Sequence, residues 1–224
     1  MPKIAILHTS FVFVNVESVI NDLIAEIIPE AEVIHFVDSD VLATVIREQV
    51  ISKASEARMT HLAEGAEEAG ADIIFSACSS LGPALDVAVR YVNVPIVKID
   101  EAMAVEAVRK ARRIGILATV PTTLAPTADL ILEKARDVGR SVTVEQCLCD
   151  GAFDVLMSGN RTKHDAMVFA EAAQLATRVD LVVLAQASMN RLADPLSANL
   201  GLPVLTSPRS GVRYLAERLR QLSA

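Results

Sequence analysis

The sequence predicts an α/β protein of two pseudo-symmetric lobes, each a four-stranded parallel sheet flanked by helices. Two observations carry that expectation. Short runs rich in Val, Ile and Leu alternate with longer stretches of helical period along the chain, the pattern of parallel strands joined by crossover helices. These runs also fall into two matching sets of four. Asp72 aligns with Asp180, Cys78 with Gln186, Ser80 with Ser188 and Pro95 with Pro203 at one constant offset. Ile4 with Ile114 and Thr9 with Thr119 align at an offset two residues longer. A repeat of this length is too long for a solenoid, and matching Asp, Pro and Ser at a fixed spacing is more than a shared period requires.

Taken in order, the strands are expected at 3–9, 32–38, 72–78 and 94–99, then at 113–119, 142–148, 180–186 and 203–207. Helices are expected at 16–28, 40–68, 80–91, 101–111, 123–138, 151–157, 162–178, 189–199 and 209–222. Asn15, Ser39 and Thr122 stand where N-caps are wanted, and Gly70 and Gly139 where helices stop. Lobe 1 is then 1–99 plus 208–224 and lobe 2 is 100–207. The chain crosses near Asp100-Glu101 and returns at Ser207-Pro208-Arg209.

Composition narrows the function. With 224 residues, 52% of them hydrophobic, a sizeable core is available. A net charge of −7 and a pI near 5.1 argue against a nucleic-acid partner, which needs a basic face. No basic cluster borders an amphipathic stretch and the apolar runs are too short to span a bilayer, so no membrane partner is expected. The opening MPKIAILHTSFVFV reads as a first strand rather than a signal peptide, because His8-Thr9-Ser10 interrupts it and no small-x-small cleavage site follows. Three cysteines without paired spacing read as free thiols of a cytoplasmic protein. Four per cent aromatics and no tryptophan leave little for stacking a base, so the ligand is expected to be small and polar. Motifs for dinucleotides, nucleoside triphosphates, zinc peptidases and hydrolase elbows are missing.

In parallel sheets ligands bind at the carboxyl ends of the strands. Those ends carry His8-Thr9-Ser10, Cys78-Ser79-Ser80, Thr119 with Thr122-Thr123, and Gln186-Ala187-Ser188. If the lobes face each other, the four sets converge on one cleft. Hydroxyls and helix-start amides in such a set suit a carboxylate.

ACSSLG at 77–82 and LAQASM at 184–189 carry a resemblance to the aspartate/glutamate racemase superfamily, which includes hydantoin racemases, maleate isomerase and arylmalonate decarboxylase. The resemblance covers essentially the whole chain. It implies two lobes that each contribute a cysteine flanking the substrate's α-carbon, proton transfer next to a carboxylate of a small amino or other acid, and no cofactor or metal. ACSSLG looks like the first cysteine motif and LAQASM like the second, which puts Gln186 in the second cysteine's place. An amide cannot take up a proton at working pH, whereas a thiol tuned to a thiolate can. Catalytic roles therefore fall to Cys78 and Gln186, and substrate-binding roles to His8, Ser10, Ser79, Ser80, Thr119, Thr122, Thr123 and Ser188. Alternatives stay open: a single-cysteine decarboxylase or isomerase, or a non-catalytic binder of small acids. Family members often pair, so a homo-oligomer fits the resemblance.

Each residue also has a plainer reading. A free cysteine is usually buried, and Ser or Thr at a strand-to-helix turn is favoured simply as a cap. Cys147 and Cys149 lie two apart on one strand and read as core packing, not a metal pair. Gln186 could tie a loop. His8 is the one histidine near the expected site, a candidate second proton carrier or a histidine satisfied locally. His35, His61 and His164 read as surface or strand residues, Arg191 as solvated, and Asp100-Glu101 as helix N-terminal charges.

Overall fold

In a computed structural model the structure describes residues 1–11 and 18–222. The chain divides into two compact units, Met1–Ile99 with Pro208–Ala224, and Asp100–Ser207. Unit 1 holds strands β1 (Lys3–His8), β2 (Glu32–Val37), β3 (Ile73–Ser76) and β4 (Ile96–Lys98). Its helices are α1 (Val19–Ile27), α2 (Val41–Glu48), α3 (Lys53–Glu68), α4 (Gly82–Ala88) and, from the chain's end, α10 (Ser207–Leu222). Unit 2 holds β5 (Arg113–Ala118), β6 (Thr143–Leu148), β7 (Leu181–Leu184) and β8 (Val204–Thr206). Its helices are α5 (Glu101–Lys110), α6 (Leu124–Asp137), α7 (Ala152–Met157), α8 (Arg161–Ala176) and α9 (Ala193–Leu200).

All pairings are parallel, and the strand orders are β2-β1-β3-β4 and β6-β5-β7-β8, the same order in each unit. Helices cover both faces, which is why the central strands read as unbroken apolar runs. In unit 2, Ile114, Ile116, Leu181 and Val183 pack with Met103, Val108 and Ile131 of α5 and α6. Leu117, Val182 and Leu184 turn the other way, toward Val168 and Leu175 of α8 and Leu196 of α9. Unit 1 repeats this, with Ala5, Leu7 and Ile74 packed on Val41, Met59, Ala63 and Leu85 of α2, α3 and α4.

The hydrogen bonds outside regular elements repeat as well. The Asp72 carboxylate accepts from Lys3 N at 2.7 Å, and the Asp180 carboxylate from Arg113 N at 3.0 Å. Ile74 N donates to Pro95 O, as Val182 N does to Pro203 O. The aligned Asp and Pro residues are thus the fixings of each central strand.

Some local expectations shift. The single helix expected over 40–68 is two, broken where Gln49 turns left-handed (φ 55°) and restarted by Ser52, whose hydroxyl accepts from Ser55 N. Ser39 is not the cap of α2: Asp38 Oδ1 instead accepts from Asp40 N and Val41 N at 3.1 and 3.0 Å. Thr123 rather than Thr122 holds the N-cap position of α6, and its side chain makes no cap bond. The helices expected over 80–91 and 189–199 are entered through tight 3₁₀ turns, Ser79–Leu81 and Ala187–Leu192. The expected Asn15 cap, and the first residues of the helix expected at 16, lie outside the described residues. Gly70 and Gly139 do end α3 and α6, at φ +76° and +62°.

Candidate functional site

In unit 1 the two central strands run side by side, with Leu7 in register with Ser76 and Ala77 N donating to Leu7 O at 3.1 Å. Their carboxyl ends therefore bring His8, Thr9 and Ser10 to the same sheet edge as Cys78, Ser79 and Ser80. Cys78 is extended (φ −131°, ψ 108°) and half-buried, its side chain packed against the Leu7–Leu81–Leu85 cluster. Ser79 and Ser10 are half-buried and Ser80 is buried.

His8 is not turned to solvent. It is 1% exposed, its Nε2 lies 3.0 Å from His35 Nδ1, and the two rings sit 5.2 Å apart. Burial, and then the neighbouring His35, push its pKa down to about 4, so the ring is neutral at neutral pH. His35 was unmarked by any sequence motif, yet its register opposite Ile6 puts it on the face of β2 that His8 uses on β1.

In unit 2 the same frame recurs. Ala185 N donates to Leu117 O at 3.0 Å, and Gln186 is extended (φ −139°, ψ 134°) at the entrance to its 3₁₀ turn. Here a side chain closes the edge. Gln186 Oε1 accepts from Thr119 N at 2.6 Å, from Thr119 Oγ1 at 3.1 Å and from Val120 N at 3.2 Å. Thr119 and Thr123 are buried at 3% exposure each, while Thr122, Gln186 and Ser188 are half-buried. Of the anticipated site residues, Thr119 and Gln186 are thus joined directly.

Two residues depart from their sequence reading. His164 is not at the surface: it is fully buried in the first turn of α8, with Nδ1 2.8 Å from Asp165 Oδ1. Arg191 is not merely solvated: its guanidinium grips Asp165 through two hydrogen bonds of 2.7 Å. Burial works against the Asp165 charge, but the bonds from Arg191 and His164 outweigh it and hold this carboxyl below its ordinary range. The fork pins the turn that begins just after Gln186 to α8. Nothing in the sequence marked it, because the partners are far apart in the chain.

The other two thiols face packing. Cys149 is 1% exposed, and burial, then Glu171, push its pKa up to about 11. Cys147 is raised for the same reasons and lies 3.6 Å from the Glu171 carboxylate. Among the described residues no His, Cys, Asp and Glu group is arranged to hold a metal ion, and no helix is long and apolar enough to cross a membrane.

Solved structures share this fold. A glutamate racemase from Francisella tularensis, solved with D-glutamate, matches at 15% identity and a TM-score of 0.73, over 99% of this chain and 82% of the other. An allantoin racemase from Klebsiella pneumoniae matches at 18% and 0.66, over 100% and 89%. An aspartate racemase homologue from Pyrococcus horikoshii matches at 21% and 0.66, over the whole of both chains. No curated protein sequence matches this one. The family profile of Asp/Glu/Hydantoin racemase matches residues 14–215, so the chain belongs to that family.

Proposed function

We propose that the protein is a cofactor-independent isomerase of racemase type, moving a proton at the carbon next to a carboxylate through Cys78. The observation that carries this reading is the repeat itself: one extended residue at the carboxyl end of each unit's third strand, a half-buried thiol in one unit and a glutamine in the other. The Cys78 thiolate takes the α-proton, leaving the electron pair on an enediolate-like carboxylate; a proton from water then adds to the opposite face of that carbon, and the Cys78 thiol gives its proton back to solvent. Ser10, Ser79 and Ser80 supply hydroxyls at the same strand ends as Cys78 to hold the anion. The D-glutamate bound by the Francisella relative supports a small amino or dicarboxylic acid as substrate.

Gln186 favours a second reading. It cannot carry a proton, so chemistry that protonates one face suits the chain at least as well. In a decarboxylation the bond to the departing carboxyl breaks, carbon dioxide leaves, and the electron pair remains as an enediolate that the Cys78 thiol protonates. Solvent then restores the thiol's proton.

Iodoacetamide distinguishes an enzyme from an inert fold. Cys78 should be alkylated rapidly at pH 7 and protected by malonate, whereas sluggish, malonate-insensitive labelling would remove the basis of this reading. Incubation in deuterated water separates the two chemistries. Deuterium appearing in recovered glutamate or aspartate as optical rotation falls marks a racemase; carbon dioxide from a substituted malonate marks the lyase.

A further inference from the structure

We infer that Gln186 takes a carboxylate oxygen of the ligand through its Nε2–H groups, with Thr119 and Val120 as positioning residues that hold the amide that way round. The inference rests on the proposed reading of a small-carboxylate site. Its ground is the direction of three hydrogen bonds. Thr119 N and Val120 N can only donate, and both point at one atom of the Gln186 amide, at 2.6 and 3.2 Å. Turning the amide over would set its own donors against two donors, so this atom is the oxygen. The Thr119 hydroxyl adds a third donor at 3.1 Å, which leaves the oxygen's acceptor capacity full.

The whole acceptor end of Gln186 is therefore spent on the end of β5, and only its donor end remains. Nε2 makes no hydrogen bond among the described residues, and the side chain is half-buried. A ligand that covers such an N–H without offering an acceptor leaves it unpaired and binds less tightly for it. An anionic oxygen meets it well. Thr119, 3% exposed with both donors engaged, is not a ligand-binding group while Gln186 stays where it is. The glutamine is thus a fixed, uncharged donor at the place in unit 2 that Cys78 holds in unit 1.

Glutamate at this position separates the two ends of the amide. Gln186→Glu keeps an oxygen for Thr119 and Val120 and replaces the donor by a second, negatively charged oxygen. Malonate binding, followed by calorimetry, is expected to weaken about tenfold or more, with the melting temperature little changed. In the unaltered protein the Gln186 side-chain NH₂ resonances should move saturably with malonate in ¹⁵N spectra, so the result does not depend on a variant folding. Thr119→Val, which deletes the hydroxyl and keeps both N–H groups, should shift those resonances before any ligand is added and weaken malonate about threefold. If malonate protects Cys78 yet leaves the NH₂ resonances still, or binds Gln186→Glu within twofold of the unaltered protein, Gln186 is only a structural tie and this inference fails alone. If malonate neither binds nor protects Cys78, the underlying functional reading fails with it.

Discussion

Cys149 and Cys147 sit in packing where burial first and the Glu171 carboxylate second raise their pKa values, while Cys78 stands at a strand end. Burial thus disfavours the thiolate at Cys147 and Cys149, and on the proposed function alkylation followed by peptide mapping should find the label on Cys78 first. His8 tells a related story in stability. Its pKa falls from 6.5 unfolded to about 4 folded, so the unfolded chain binds the extra proton. The stability tied to the neutral ring is complete above pH 6.5 and is lost as pH drops through 4, on the order of 3 kcal/mol in all. His35 is lowered too, by burial, and adds to the same slope. Urea unfolding at pH 7, 5.5 and 4.5 should show this decline, and His8→Leu should flatten it. A His8→Leu slope equal to that of the unaltered protein would show that some other group titrates.

At the scale of elements, the closest constraint is Gly211 on α10. A Cβ there would lie 2.4 Å from the carbonyl oxygen of Ile99, just beyond β4. That contact is backbone, so no rotamer change relieves it, and α10 must shift. Gly211→Ala should cost about 1–3 kcal/mol, read as a lower urea midpoint at unchanged slope. The glycine was invisible in the amphipathic pattern of the helix, which marks the buried face but not how near a neighbouring backbone approaches. The break between α2 and α3 was hidden similarly. A helical period continues across 40–68, and only the left-handed Gln49 and the Ser52 cap divide it.

On the scale of the whole molecule, the two units are built alike but not strung alike. Unit 2 is one continuous stretch, while unit 1 is completed by the last helix of the chain. Val212, Leu215, Ala216 and Leu219 of α10 are buried, and each fully buried Val or Leu is worth about 1.5–3 kcal/mol. Losing them together approaches the entire stability of an ordinary domain, about 5–15 kcal/mol. Ending the chain at Ser207 should therefore strip amide-exchange protection from β1 to β4 and leave β5 to β8 protected. Equal loss in both sheets would mean that the units do not fold as separate cooperative bodies.

The eight strands, their parallel sense and the twofold repeat were legible because they are written in local hydrophobic pattern and in Asp and Pro residues that return at fixed spacing. Cys78 and Gln186 could be placed at strand ends for the same reason, since a strand's period tells where it stops. What the tertiary structure alone decided was pairing: His8 with His35, Arg191 with Asp165, and the Gln186 oxygen with the end of β5. Those partners lie 26 to 67 residues apart, and a hydrogen bond depends on two groups arriving within about 3 Å in the right direction. Hydrophobic pattern fixes which face a residue occupies, but only packed sheets and helices determine which group it meets there.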